Sequence, residues 1–408
     1  MQSLLVSNIG MLATPLGSQA RRGSAQGEIQ TLKDAWVLIR DGVINQVGTG
    51  TPPAAPGVKT LDAGSNLVTP GLVDAHTHLI FGGWRQHELA LKLHGKTYLE
   101  IQNAGGGIQS TTNATRRSTE EELTEKAAKA LDEMMGFGVT TCEAKSGYGL
   151  ATEHELKALR VIQNLNERHA MDIVATFMGA HLVPAEYKAD RGEYIRILCE
   201  EMMPRVQEQG VAKFCDVFCE ADTFTVEESR RVLEAGLKHG LRPKIHADEI
   251  EAIGGSVLAG ELGAISAEHL IVCPPEGIES LARGGVVACL LPATSFYLGA
   301  AFAPARDMID AGVPVAMASD FNPGSCPCLN LQLVINLGCL KYRLTPEEVL
   351  TAVTLNAASA IDLADKVGSV EPGKQGDLVV WDAPDLDYIC YRMGSNLAKT
   401  VIKRGVVV

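Results

Sequence analysis

Residues 67–78 read LVTPGLVDAHTH. The run is largely apolar up to Val73 and then ends in Asp74-Ala75-His76-Thr77-His78. On an extended chain the side chains alternate with period two, so His76 and His78 point to the same side. Beyond this segment, short β-type runs alternate with helix-type runs, the pattern of parallel strands joined by helices. The candidate strands are 67–76, 139–145, 172–179, 212–219, 242–247, 264–269, 285–291 and 314–320. Eight β/α units in roughly 280 residues match the size of a (β/α)8 barrel.

Helix caps punctuate the units. Thr119 with Glu122, Thr152 with Glu155 and Thr225 with Glu228 each read as a capping box ahead of a helical run. Gly136 and Gly240 read as stops. The flanks have a different texture. AWVLIRDGVINQVG, with Asp41-Gly42 between two apolar stretches, predicts a hairpin. The end of the chain, GDLVVWDA followed by TVIKRGVVV, returns to β character. The predicted fold is α/β. A TIM-like (β/α)8 barrel over 66–365 stands beside a small β-domain built from both chain ends, 1–65 and 366–408.

Composition bounds the function. The 408 residues are 46% hydrophobic and 21% charged, with a formal net charge of −13. That is ordinary for a globular protein and excludes wholesale disorder. The acidic balance argues against a nucleic-acid partner, whose phosphates need a basic face. The start of the chain does not read as a signal peptide, and no apolar run approaches the roughly 20 residues of a membrane span. No CxxC pair occurs among the ten cysteines, most of them in apolar runs, so a reducing, cytoplasmic setting is the default.

The barrel reading carries a test, because the chemistry of this fold gathers at the C-terminal ends of its strands. Strand one ends in His76 and His78, strand five in His246-Ala247-Asp248-Glu249, strand six in Glu268-His269, and strand eight in Ser319-Asp320. Taken singly, each motif is ambiguous, since a strand-end Asp is more often a turn or cap residue. Together, three imidazoles and a carboxylate form the mixed nitrogen and oxygen set that suits zinc or ferrous iron. His154, His169, His239, His87 and His94 fall in or beside helical patterns and read as solvated. His181 follows strand three and belongs to the catalytic face.

These segments resemble the amidohydrolase superfamily. PGLVDAHTH, a strand-five His, a strand-six His, a strand-eight Asp and PGKQGDLVVW carry the resemblance, which spans essentially the whole chain. It implies a metal-dependent hydrolase barrel flanked by a β-sandwich made from both chain ends. Many members hold two metals bridged by a carbamylated lysine at the end of strand four. Here that strand ends in Cys219-Glu220, and Lys213 lies at its other end, about 20 Å away in extended chain. One divalent ion, zinc or iron, is therefore expected on His76, His78, His246 and Asp320.

His246-Ala-Asp-Glu249 resembles single-metal members that attack cyclic amidines and lactams, such as cytosine and guanine deaminases. VDAHTHLIFGGWRQHEL, AKSGYGL, FMGAHLVPAEY, KIHADEI, SAEHL and SDFNPGS narrow the resemblance. They point to members that open the ring of 4-imidazolone-5-propanoate with water, giving N-formimidoyl-L-glutamate. A metal lowers the pKa of a water and polarises a substrate oxygen, and a ring nitrogen leaves well only when protonated. Glu249, three residues beyond His246, is the expected proton shuttle. The resemblance gives His269 an acid–base or supporting role near the attacking water.

Arg85 is the candidate partner for the propanoate, because a guanidinium matches a carboxylate bidentately. Tyr148 and His181 complete the expected grip. Tyr98 lies in a Gly-rich stretch read as a lid, within 95–110. Asn322, Gly324 and Ser325 match the family's product-contacting loop. The resemblance also implies a homodimer. Two rivals remain at this stage. One is a deaminase of a purine, pyrimidine or triazine, which has no carboxylate for Arg85. The other is a non-enzymatic scaffold with a relic metal site, against which the intact His76, His78, His246, Glu249, His269 and Asp320 argue.

Overall fold

A computed structural model describes residues 3–96, 100 and 105–408. Its strands form two sheets. One is parallel throughout and ordered as in the chain: Leu72–Asp74, Val139–Lys145, Asp172–Ala180, Ala212–Cys219, Arg242–Ala247, Ser266–His269, Val287–Leu290 and Val315–Met317. Helices intervene, as parallel pairing requires a crossover between neighbouring strands. The first and eighth strands meet just beyond their ladders. The Asp320 N–H donates to the His76 carbonyl at 3.0 Å and the His78 N–H to the Phe321 carbonyl at 2.9 Å. The curled sheet thus closes through the residues that carry the candidate metal donors.

The stretch expected as one strand over 67–76 is divided. Leu67–Pro70 pairs with Leu378–Trp381 and Leu4–Thr14 in the other sheet, and only Leu72–Asp74 enters the barrel. Pro70-Gly71 breaks the run, since proline cannot donate to a ladder. A Cβ on Gly71 would lie 2.2 Å from Thr140 Oγ1, so only glycine lets the chain cross between the sheets there.

The second sheet is mixed and joins both chain ends. Its other strands are Gln30–Arg40, Val43–Thr49, Lys59–Asp62, Ala398–Lys403 and Val406–Val407. Gln30–Arg40 and Val43–Thr49 form the expected antiparallel hairpin. Asp41 and Gly42 at its tip have φ of 50° and 82°, the positive values a tight I′-type turn needs.

Thr119 with Glu122 and Thr225 with Glu228 form complete capping boxes. Thr152 does not. The helix Thr152–Arg168 is capped by Ala151 without a side-chain bond. The Glu155 carboxylate instead accepts from the N–H groups of Gly147, Gly149 and Leu150, at 2.7–3.0 Å. Those buried amides have no ladder partner, and satisfying them outweighs one more cap. Among the described residues no helix is long and apolar enough to cross a membrane.

Candidate active site

The inward phase of the barrel strands carries polar residues where a closed core would carry aliphatic ones. His76 and His78, His246 and Asp320 converge at the C-terminal end. His78 Nε2 lies 3.4 Å from both His76 Nε2 and His246 Nε2. Asp320 Oδ1 is 3.4 Å from His76 Nε2 and 3.6 Å from His78 Nε2. Donors about 2.1 Å from one ion in a tetrahedron stand about 3.4 Å apart, so the spacings among His76, His78 and Asp320 are those of a ligand shell, with His246 beside it through His78. Among the described residues two sets of donor atoms lie within 4.8 Å of one another and share His76: His76, His78 and Asp320, and His76, His246 and His269.

Hydrogen bonding decides which nitrogens face inward. His76 Nδ1 bonds Glu268 Oε2 at 2.8 Å, and His246 Nδ1 bonds Asp216 Oδ1 at 3.0 Å. A carboxylate only accepts, so each Nδ1 carries a proton and each Nε2 is the nitrogen turned to the shared space. Burial, joined by the charge of Lys145 for His76 and by His181 for His78, pushes these two pKa values well below the usual range. Neutral imidazoles crowded lone pair to lone pair beside a carboxylate fit a divalent cation and little else.

Asp320 is held from behind, its Oδ2 accepting from Thr294 Oγ1 at 2.6 Å. Burial pushes its pKa up to about 6. The backbone here is unusual: His269 has φ of 68° and Asp320 φ of 55°. Left-handed conformations at bulky residues persist where the surroundings over-determine them, and they cluster at functional sites.

Glu249 Oε2 stands 3.5 Å from His269 Nε2. Burial pushes its pKa up to about 8, with Asp320 and Glu220 adding to the rise. Glu220, at the end of the fourth strand, accepts from the N–H groups of Ile250 and Glu251 at 2.8 and 3.0 Å and so pins the loop that carries Glu249. Lys213 is far from this centre, paired with Asp362 at 2.8 Å beside the opposite mouth of the barrel. An open cavity of about 620 Å³ lies there too, remote from the chemistry.

The expected substrate residues divide into groups. The His181 ring stacks on His78 at 4.9 Å, and Tyr148 lies 5.1 Å from His181. Burial pushes the His181 pKa down to about 3. Arg85 is buried in the loop ahead of the helix Glu88–Leu93, with its Nε 3.5 Å from Glu88 Oε2. Its guanidinium lies against Gly324, where a Cβ would meet Nη2 at 1.4 Å. The Asn322 side chain serves its own loop: Nδ2 donates to the Asp320 carbonyl, and Oδ1 accepts from the N–H groups of Gly324 and Ser325. Tyr98 and part of the 95–110 stretch lie outside the described residues. Sequence reasoning gave no role to Glu143, Lys145, Asp216, Lys244 and Glu268, all fully buried beneath the histidines. Charged residues at alternate positions of otherwise apolar strands were the available signal.

Comparison with known proteins follows the same lines. Residues 67–408 match the model of the amidohydrolase family. An imidazolonepropionase of Alkaliphilus metalliredigens is 50% identical over 414 residues, covering 100% of this chain and 98% of that protein. One of Brevibacillus brevis is 50% identical, covering 99% and 97%. In structure, a zinc-bound adenosine deaminase from Xanthomonas campestris aligns with a TM-score of 0.71 at 20% identity, covering 100% of this chain and 92% of that one. At that identity the likeness concerns the fold alone.

Proposed function

The chain belongs to the amidohydrolase family, and from that premise we propose how its own residues perform the imidazolonepropionase reaction. The protein is a hydrolase of a cyclic carbon–nitrogen bond, opening 4-imidazolone-5-propanoate to N-formimidoyl-L-glutamate in histidine catabolism. The observation that carries this reading is full-length identity of 50% with relatives of that name. A deaminase reading rests on fold likeness alone and gives the buried Arg85 no substrate carboxylate to meet beyond its contact with Glu88.

His76, His78, His246 and Asp320 would hold one divalent cation, and three imidazoles with a carboxylate suit zinc or iron. Bound there, such a cation makes a water acidic near neutral pH and polarises the ring carbonyl. Glu249 accepts the proton that the attacking water loses. Burial raises its affinity for that proton, so Glu249 can hold it and return it to the ring nitrogen as the carbon–nitrogen bond breaks. His269, 3.5 Å from Glu249, steadies the shuttle as it changes charge. Arg85 binds the propanoate, Tyr148 and His181 flank the ring, and the turn held by Asn322 sets Gly324 against the guanidinium.

The test is direct. Purified protein of measured metal content is mixed with imidazolone-propanoate, and the loss of substrate absorbance is followed. Turnover that tracks metal content supports the reading. A metal-loaded protein inert on this substrate but active on a neutral heterocycle would overturn it.

A further inference from the structure

Beneath the histidines the barrel buries charges that the reaction itself does not use. Lys145 ends the second barrel strand, fully buried. Its Nζ donates to Glu143 Oε1 at 2.6 Å and to Asp216 Oδ2 at 2.8 Å. The other oxygen of Asp216 holds His246 Nδ1 at 3.0 Å. A parallel chain runs through Lys244, whose Nζ lies 3.3 Å from Glu268 Oε1, while Glu268 Oε2 holds His76 Nδ1 at 2.8 Å. Ser266 Oγ also donates to Glu268, and Glu143 links the two chains, 3.9 Å from Lys244 Nζ. Each chain therefore reads ammonium, carboxylate, imidazole.

Packing does not call for this layer. A buried ion pair is often no more stabilising than apolar residues of the same volume. What the layer supplies is orientation. With one oxygen fixed on an ammonium, each carboxylate turns its other oxygen to Nδ1 and so sets the tautomer and tilt of the ring above it. Lys145 donates to its carboxylates at 2.6 and 2.8 Å, while Lys244 Nζ donates to the Ala360 carbonyl at 3.2 Å, so the Lys145 chain is the stronger of the two.

We propose that Lys145 is a positioning residue for the metal centre, acting through Asp216 on His246, with Lys244 acting in the same way through Glu268 on His76. The proposal rests on the ligand assignment above and not on the identity of the substrate.

The experiment measures zinc affinity by chelator competition, without substrate, in wild type, Lys145→Met, Asp216→Asn and the double variant. Loss of a supporting partner of this kind typically weakens metal binding 10–100-fold, roughly the fall expected for each single variant. Because Lys145 acts through Asp216, the double variant should bind zinc no more weakly than Asp216→Asn alone. Cobalt-loaded Asp216→Asn should also show a shifted visible spectrum, which a merely structural role would not produce. Should Lys145→Met fail to fold, Asp216→Asn decides through its zinc affinity and cobalt spectrum. Wild-type affinity in the single variants, or additive losses in the double, would overturn the proposal. His246→Ala is the control: unchanged affinity there removes the ligand assignment and this proposal with it. Zinc affinities that fall as expected in a protein inert on imidazolone-propanoate would overturn the substrate reading alone.

Discussion

The main chain of Asp320 donates to the carbonyl of His76 at 3.0 Å, and the same pair of residues brings Asp320 Oδ1 to 3.4 Å from His76 Nε2. The bond that closes the barrel and the gap that a metal would fill are one local structure. Asp320 sits three residues past the eighth strand in a left-handed conformation, so this bond to His76, rather than the strand pleat, fixes where its carboxylate stands.

That seam predicts the metal stoichiometry. One tightly held divalent ion per chain is expected, since the fourth strand offers no bridging lysine and Lys145 Nζ is already bonded to two carboxylates. Elemental analysis of dialysed protein checks this. Two tightly bound equivalents, both needed for activity, would rule it out. Asp320→Asn should lose most of the metal while leaving the Thr294 contact available to the amide.

A second expectation concerns Glu249. Glu249→Gln keeps all four metal donors, so metal content should match wild type. Activity should drop by about 10²–10⁴, the usual contribution of a positioned acid–base group. Full metal occupancy with full activity would move the shuttle to His269.

The barrel strands and the three donor-bearing strand ends were legible because alternation and strand-end position are local patterns. His76 and His78 announce themselves two residues apart, and His246 and Asp320 each stand at the end of a β-type run. The divided strand at Pro70-Gly71 was not legible, since both halves look alike and only the sheet each one joins tells them apart. Glu155 was misassigned because a capping box and a loop anchor share one sequence signature, and the choice depends on whether Gly147–Leu150 is buried. Lys145, Asp216 and Lys244 stayed silent because a charge in a strand gains meaning only when its facing partner, 71 positions away for Lys145 and Asp216, is known.

Protonation linked to His181 gives a third prediction, for metal-free protein. Burial pushes its folded pKa from 6.5 to about 3. Between those values the unfolded chain binds a proton that the native state refuses. The stability His181 contributes is therefore full above about pH 6.5 and declines as pH falls toward about 3. Denaturant titrations at pH 7 and pH 5 in the presence of chelator should show a smaller acid-induced loss in His181→Asn than in wild type. Equal losses would mean that His181 takes up its proton in the folded state.

The last prediction concerns how the carboxylate of the substrate is read. Arg85 is buried with its guanidinium against Gly324, where a Cβ would stand 1.4 Å from Nη2. Gly324 does not have a positive φ, so alanine there adds no backbone strain and acts by pushing the guanidinium aside. A charge-assisted hydrogen bond to a partly desolvated carboxylate contributes about 1.5–3 kcal/mol, and a bidentate pair more. Arg85→Ala should therefore lower kcat/KM by roughly 10²-fold or more, at ~1.4 kcal/mol per factor of ten. Gly324→Ala should fall in the same direction with the arginine still present. Arg85→Lys should recover only part of the loss, because an ammonium lacks the planar fork. The deciding comparison is between the propanoate substrate and an analogue with a neutral amide in its place. Wild type should prefer the acid strongly, while Arg85→Ala and Gly324→Ala should lose most of that preference. If all three proteins discriminate alike, Arg85 does not contact the carboxylate, and the cation that does must be sought elsewhere around the mouth of the barrel.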